Sequence, residues 1–239
     1  MSVEPGLRER KKRQTRRLIA DTAHGLFTTR GFDAVTVAEV ARAAEVSEVT
    51  VFNYFPTKED LFYGGMLFFE EQLLLAVGER APGEAALGAF RRLLLESSKH
   101  LAGEERADFI ATAAKTIAAS PALQARERDI VARYTRDLAA MLATELGAGA
   151  DDAEAAGVAA ALMGVHRALV EFVRAEVLRG RRGPGLSRAF RAQAARAFSR
   201  LEAGLGDYGI RSRPPGSART GAGGARSRSR RRPDPPSSS

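Results

Sequence analysis

Apolar residues recur every three or four positions through most of residues 8–206, the spacing that places them on one side of a helix. Ala, Leu, Arg and Glu dominate this stretch, and it contains no run of alternating β-branched residues typical of a strand. The pattern therefore predicts an all-α chain of about nine helices.

The first predicted helix spans residues 9–30, and Gly31 supplies the left-handed residue on which helices commonly end. Thr36 then opens a second, short helix, because Glu39 follows it at the spacing of a capping box. This helix is predicted to end near Ala43.

A third helix starts shortly afterwards, where Ser47 can cap its first turn, and it ends at Pro56. Thr57 opens a fourth helix at once, with Asp60 three residues further on. Two short helices joined by a tight turn and packed on a longer one predict a helix-turn-helix unit. In such a unit the second short helix enters the major groove of DNA, where each base pair shows a distinct pattern of donors and acceptors.

The rest of the pattern predicts longer amphipathic helices, separated by Pro and Gly signals. They are placed at 57–80, 83–102, 105–119, 121–146, 151–180 and 186–205. We divide the chain into a disordered N-terminal end at 1–8, a three-helix helix-turn-helix domain at 9–56, a larger helical domain at 57–206, and a disordered tail rich in Arg, Pro and Ser at 207–239.

The net charge of +8 is concentrated at the two ends of the chain. Residues 1–17 carry +5 and residues 209–239 carry +7, which leaves −4 for residues 18–208. Basic ends attract polyanions, and nucleic acid is the commonest of these. The alternative is that both ends are solvated tails that keep the protein soluble.

The chain has no Cys, which fits a reducing bacterial cytoplasm, and its polar N-terminus does not resemble a signal peptide. Residues 155–173 are strongly apolar, but His166, Arg167 and Glu171 interrupt them. We therefore expect a cytoplasmic protein with no membrane span and no membrane partner.

No catalytic set is recognisable, and we expect the protein not to be an enzyme. Its three histidines, His24, His100 and His166, fall on separate predicted helices, and no helix pairs metal ligands at turn spacing. We therefore predict no catalytic residues, no metal and no cofactor.

The segment RQTRRLIADTAHGLFTTRGFDAVTVAEVARAAEVSEVTVFNYFPTKEDLF resembles the DNA-binding domain of the TetR family of bacterial transcriptional repressors. The resemblance covers about residues 12–62. It rests on GF after the first helix, on TVAEVA, on VS at the next helix start, and on the aromatic cluster that runs into FPTKEDLF. It implies a homodimer that binds a palindromic DNA operator, associates with the nucleoid, and is released by an unknown small-molecule effector.

The resemblance also assigns roles by matched position. Thr36, Ser47, Thr50, Tyr54 and Lys58 match phosphate-contacting positions, and Arg16 and Arg17 are expected to add backbone or minor-groove contacts. Glu48, Val49, Phe52 and Asn53 match positions that face base edges, and the Asn53 amide can pair bidentately with adenine.

Three of these positions leave alternatives open. Phe52 either packs or touches a thymine methyl group, and Glu48 either accepts from cytosine or repels phosphate. Glu45 stands where relatives usually have Gly. If its backbone is left-handed, the side chain costs on the order of 1 kcal/mol.

For residues 57–206 the resemblance implies a ligand-binding and dimerisation domain. The last two helices are the expected dimer surface, lined by a stripe at helical spacing, with the alternative that the stripe is intramolecular core. Its members are Val158, Leu162, Val165, Leu169, Val173 and Val177. A pocket for a mostly apolar effector would draw on Phe68, Phe90, Leu94, Phe109, Ile117, Tyr134 and Met163.

Gly64 and Gly65 are adjacent glycines inside the predicted fourth helix, each costing about 1 kcal/mol relative to Ala. They mark either a soft point that transmits effector binding or a close packing of the backbone on the first helix. The leading interpretation of the whole chain is a TetR-like, ligand-responsive repressor. The alternative is an effector-independent architectural DNA-binding protein.

Overall fold

The structure of the protein is a computed structural model that describes residues 7–64, 67–149 and 151–205. Most of the predicted N-terminal end and the Arg-rich tail at 207–239 lie outside these residues, as does Gly65. The side chain of Phe68 also lies outside the described part.

In the described residues the fold is all-α, as predicted, with ten α-helices and one 3-10 helix at Ser98–Ala102. The helices are α1 (Leu7–Arg30), α2 (Val37–Ala43), α3 (Glu48–Tyr54), α4 (Lys58–Tyr63), α5 (Leu67–Gly78), α6 (Ala86–Ser97), α7 (Glu104–Ala119), α8 (Pro121–Glu145), α9 (Ala153–Leu178) and α10 (Gly183–Leu205).

Two predicted helices differ from the observed ones. The expected helix at 57–80 is instead α4, which ends at Tyr63, and α5, which begins at Leu67. The expected helix at 83–102 is α6 followed by the 3-10 helix. The change occurs at two adjacent serines, whose hydroxyls donate to the carbonyls of Leu94 and Leu95 at 2.8 and 2.6 Å. Such local bonds compete with the α-helical backbone pattern.

The N-terminal helices pack around a cluster of aromatic rings. α1 contacts both α2 and α4, and α2 contacts α3. Phe27, Phe32 and Phe62 meet with ring centroids 5.2 to 6.2 Å apart, and Tyr63 lies edge-on to Phe62. Because aromatic side chains bury large apolar areas, this cluster holds the short helices on α1.

α4 is shared between the two halves of the molecule, since it packs on α1 and also on α8. Arg126 of α8 donates from Nε and Nη2 to Asp60 Oδ1 at 2.8 and 2.5 Å. The hydroxyl of Tyr63 donates to the Leu123 carbonyl at 3.0 Å. Any movement of α8 is therefore passed directly to α4.

The predicted dimer stripe on α9 is wrong as an interface. Its residues belong to the core of a single chain, where α9 packs on α7, α8 and α10. Val158, Leu162, Leu169, Val173 and Val177 are each at most 6% exposed. Only Val165 remains half-buried. The recurrence of apolar residues identified the buried side of α9, and that side faces the same chain.

The predicted pocket residues also belong largely to the core. Phe90, Leu94, Ile117, Tyr134 and Met163 are all buried. Phe90 packs against the ring of Phe198 on α10, at a centroid distance of 6.3 Å. Phe109 instead lies against His24 of α1, at 4.4 Å, so it joins the two halves and does not line a pocket within the second.

α9 is long and apolar enough to cross a membrane, with a mean hydropathy of 1.5 over its most apolar window. This is weak support for a span, because the core helix of a soluble protein passes the same test. The burial of one side of α9 against three other helices accounts for much of its apolar character.

Gly64 lies where α4 ends, against the aromatic ring that follows α3. A Cβ atom added at Gly64 would lie 2.5 Å from Phe55 Cε1 and 3.1 Å from the Asp60 carbonyl oxygen. Phe55 is 1% exposed and has little room to move. The close packing expected at this glycine is present, although its partner is Phe55 and not α1.

We expect Gly64→Ala to destabilise the protein by about 1–3 kcal/mol, because the added methyl group overpacks the Phe55 contact. Gly25→Ala is the matched control, since nothing lies within 4 Å of a Cβ at that position of α1. The control should raise stability by up to about 1 kcal/mol through helix propensity. Urea unfolding of both variants measures the difference, and equal stabilities would contradict the packing assignment.

Candidate nucleic-acid interface

α3 is a seven-residue helix held from below and capped at its start. The Ser47 side chain accepts from the Thr50 backbone N–H at 3.1 Å, and the two hydroxyls lie 2.8 Å apart. Val51 and the following Phe55 are 0% and 1% exposed, as the sequence predicted. One side of α3 is thus fixed in the core, and the opposite side faces outward.

α2 begins with the predicted capping box. The Thr36 hydroxyl accepts from the Glu39 N–H at 3.2 Å, and Glu39 Oε2 accepts from the Thr36 N–H at 2.8 Å. Arg30, the last residue of α1, donates to Glu39 Oε1 at 2.7 Å. The Thr36 backbone bond, followed by the Arg30 bond, lowers the pKa of Glu39 to about 2. The carboxylate therefore fixes the angle between α1 and α2.

The turn between α2 and α3 has the double hydrogen bond of a Schellman motif. The Val46 N–H donates to the Ala41 carbonyl at 2.9 Å, and the Glu45 N–H donates to the Arg42 carbonyl at 3.2 Å. Glu45 occupies the left-handed position, with φ at 55°. It is the one non-glycine residue with positive φ among those described, so the predicted departure from Gly is real.

The outward side of α3 carries the residues expected to read bases. Glu48 and Asn53 are exposed, Val49 is 69% exposed and Phe52 is 46% exposed. Phe52 therefore does not pack in the core of the free protein, which leaves contact with a thymine methyl as its available role. Both alternatives for Glu48 remain open.

The hydroxyl groups expected at phosphates surround this side of α3. Thr36 and Ser47 are exposed at the starts of α2 and α3, while Thr50 and Tyr54 are half-buried. Helix N-termini present unpaired N–H groups and a partial positive charge, so both starts suit a phosphate.

Lys58 is held in place at the first turn of α4. Its Nζ lies 4.4 Å from the centroid of the Phe32 ring and donates to the Asp33 carbonyl at 3.4 Å. Arg16 is similarly placed over the Phe55 ring, at 5.2 Å. Arg17 is more exposed and lies 3.6 Å from Asp21. These positions keep cations beside the helix-turn-helix unit without burying their charge.

Asp60 and Arg126 position this site, although the sequence prediction did not include Arg126. Asp60 Oδ2 accepts from the Thr57 N–H and hydroxyl at 3.2 and 2.9 Å, which fixes the first turn of α4 and so the start of Lys58. Asp60 Oδ1 takes the bonds from Arg126. The TKED spacing predicted the cap, but no local signal points to a partner so distant in the chain.

Among the described residues no group of three His, Cys, Asp or Glu is placed to hold a metal ion. His24 is half-buried beside Phe109, with Thr28 at 3.4 Å, and His100 is exposed on the 3-10 helix. His166 lies apart from both, buried in the second half.

Two short helices joined by a tight turn and braced on a longer helix define a helix-turn-helix unit. Residues 19–63 match the family model described as bacterial regulatory proteins, tetR family. The chain belongs to the TetR family of bacterial regulatory proteins.

Three curated relatives match over part of their length. The transcriptional regulator TcmR of Streptomyces glaucescens is 38% identical over 94 residues, which are 38% of this chain and 42% of TcmR. The regulator AlkX of Mycobacterium tuberculosis is 30% identical over 105 residues, covering 44% and 49%. The nucleoid occlusion factor SlmA of Vibrio vulnificus is 26% identical over 114 residues, covering 38% and 58%. The chain thus spans less than half of the first two.

A solved TetR transcriptional regulator from Rhodococcus sp. RHA1 has the same fold. Its TM-score is 0.51 at 19% identity, and the match covers 80% of this chain and 98% of the solved chain. The similarity of fold therefore continues beyond the helix-turn-helix unit into the second half.

We expect Glu45→Gly to be more stable than Glu45→Ala by about 1 kcal/mol, because only glycine adopts the left-handed backbone without steric cost. Thermal or urea unfolding of the two variants gives the difference. The same pair of substitutions at exposed Ala43, within α2, should show the opposite order, with Ala43 more stable than Ala43→Gly. An Ala variant as stable as the Gly variant at position 45 would contradict the assigned turn.

Proposed function

We propose that this protein binds double-stranded DNA through α3 and regulates transcription, most simply as a repressor. The observation that carries the proposal is the outward side of α3, where Val49, Phe52 and Asn53 are exposed on a helix whose other side is buried. An exposed apolar and amide surface of this kind fits base edges in the major groove.

Phosphate contacts would supply position and much of the affinity, while base contacts would supply discrimination. The starts of α2 and α3 offer N–H groups and hydroxyls, and Lys58, Arg16 and Arg17 offer charge. The ring of Phe32 and the carbonyl of Asp33 already hold Lys58, so little side-chain entropy remains to be lost when it meets a phosphate.

A homodimer would form through the outward side of α9 and α10, and not through the buried stripe. A shallow depression between these helices is apolar and rich in small residues. It is lined by Ala161, Gly164, Val165, Ala168, Leu169, Phe172, Gln193 and Ala197. A two-fold axis through this surface would present two copies of α3 to the two halves of a palindromic operator.

Release by a small, mostly apolar effector would pass through α8 and α4. The Asp60–Arg126 ion pair and the Tyr63–Leu123 hydrogen bond join the second half directly to the helix that carries Lys58. An effector that binds one position of α8 better than another would shift the angle of α3, and with it the affinity for DNA.

The names of the two most similar curated relatives, TcmR and AlkX, describe transcriptional regulators. They favour a non-enzymatic protein that acts on DNA in the bacterial cytoplasm. The name of SlmA, a nucleoid occlusion factor, favours the second candidate, an architectural DNA-binding protein that needs no effector. A high ratio of operator to random-duplex affinity supports regulation, and a ratio near one supports the architectural role.

We expect Asn53→Ala to lose discrimination at one base pair of each half-site, by about 1–3 kcal/mol, because a bidentate amide contact is removed. Lys58→Met should instead weaken binding to all duplexes alike and reduce the salt slope by about one. Selection from a random duplex pool followed by titration at several salt concentrations measures both. Equal losses across all sequences for Asn53→Ala would contradict its role in reading bases.

We expect Ala168→Glu to convert the dimer to a monomer, because it places a charge on the apolar surface between α9 and α10. Ala132→Glu on exposed α8 is the matched control and should leave the dimer intact. Sedimentation velocity distinguishes the two states. A dimeric Ala168→Glu variant that still binds the palindrome would show that the chains pair elsewhere.

A further inference from the structure

A buried polar pair lies between α5 and α9 in the second half of the molecule. His166 of α9 is 5% exposed, and its Nδ1 has no hydrogen-bond partner. Glu70 of α5 faces it with a side chain that is 18% exposed, and Glu70 Oε2 is buried without a partner. The nearest approach, from His166 Nε2 to Glu70 Oε1, is 3.9 Å, which is too long for a hydrogen bond.

These are the two buried side-chain polar atoms without a partner in the described part of the chain. Buried polar groups in native proteins are almost always hydrogen-bonded, so each exception requires an explanation. The two exceptions face each other, and a single molecule placed between the helices could satisfy both.

The surroundings of this pair are aromatic. The ring of Phe69 lies 5.3 Å from the His166 imidazole at an interplanar angle of 32°. Tyr134 of α8 is buried nearby, and burial raises the pKa of its hydroxyl, with a further contribution from the carboxylates of Glu71 and Glu70. Met163 lies one turn before His166 on the same side of α9.

The helices around the pair are unequally packed. α5 packs on α6 and α8 more extensively than on α9. Glu70 and His166 therefore face each other where α5 and α9 approach least closely, and a flat molecule could enter there at a small cost in lost helix contacts.

We propose that Glu70 and His166 form the polar end of an effector site between α5 and α9, and that this site takes a flat aromatic molecule bearing a hydroxyl group. The inference rests on the proposed function, which it deepens by naming the ligand class. A carboxylate can only accept, so the ligand must donate to Glu70 Oε2. A hydroxyl donates there and its lone pair can accept from His166 Nδ1–H.

Other ligand classes fit less well. A carboxylic acid would place its negative charge against Glu70, and a hydrocarbon would leave both polar atoms unsatisfied. An ordered water is the remaining occupant, since it can also bridge two polar atoms. The ligand differs from water in size, because it would part α5 from α9.

Such a parting reaches the DNA-binding half through α8. Tyr134 lies beside Glu70 in this region, and Arg126 lies about two turns earlier on the same helix. Arg126 holds Asp60 and thereby the first turn of α4. A ligand at Glu70 and His166 would therefore bias the same ion pair that links the two halves.

The test uses the full-length chain and two probes of similar shape, 2-naphthol and 2-methylnaphthalene, of which only the first carries a hydroxyl. We expect 2-naphthol to bind at least about tenfold more tightly in calorimetric titration and to raise the thermal midpoint. Glu70→Leu and His166→Phe should each remove this preference. Glu71→Leu, an adjacent exposed carboxylate on α5, is the matched control and should retain it.

Unfolding without any probe gives a second measurement. Removing an unpartnered buried group should leave Glu70→Leu and His166→Phe at least as stable as the unmodified chain. No preference for 2-naphthol, or a preference that survives Glu70→Leu, would overturn the inference. Destabilised variants without that preference would assign the pair to a bound water and also overturn it.

Binding of the selected DNA duplex by the same proteins separates this inference from the proposed function. Intact DNA binding with no hydroxyl preference refutes the effector site alone. Loss of sequence-specific DNA binding by the unmodified chain refutes the proposed function, whatever the naphthol titration shows.

Discussion

The exposure of α3 depends on the burial of the two residues that anchor it. A seven-residue helix is too short to be stable alone in water. Val51 and Phe55 fix it in the core, and the Ser47 cap satisfies its first turn. Because these contacts use one side of the helix only, Val49, Phe52 and Asn53 remain free on the other. The same anchor explains Gly64, whose missing side chain makes room for the Phe55 ring.

The second half of the molecule is tied to this anchor through α4. Asp60 caps the start of that helix with one oxygen and takes the Arg126 guanidinium with the other. A single carboxylate thus belongs both to the cap that positions Lys58 and to the contact with α8. In the proposed mechanism a change around Glu70 and His166 needs no long relay, because α8 contributes to both places.

Local signals were sufficient to predict the helix-turn-helix unit. The caps at Thr36, Ser47 and Thr57 join residues three positions apart, so the letters themselves contain the interaction. Glu45 was predictable for the same reason, since a helix end demands a left-handed residue at a known place.

The second half shows the limit of that approach. Recurring apolar residues on α9 identified a buried side, but periodicity does not say which helix covers it, and here the cover is intramolecular. Arg126 and the Glu70–His166 pair depend on helices that meet only in the folded chain.

The most direct test of the central claim is where α3 lies on DNA. The chain has no Cys, so a single cysteine at Val49→Cys can carry a photoactivatable crosslinker. Leu178→Cys, at the end of α9 and also exposed, is the reference site. The account predicts crosslinks from position 49 to major-groove base atoms at two symmetric places in a selected palindrome, and none from position 178. Crosslinks from position 178, or none from position 49 while the protein remains bound, would contradict it.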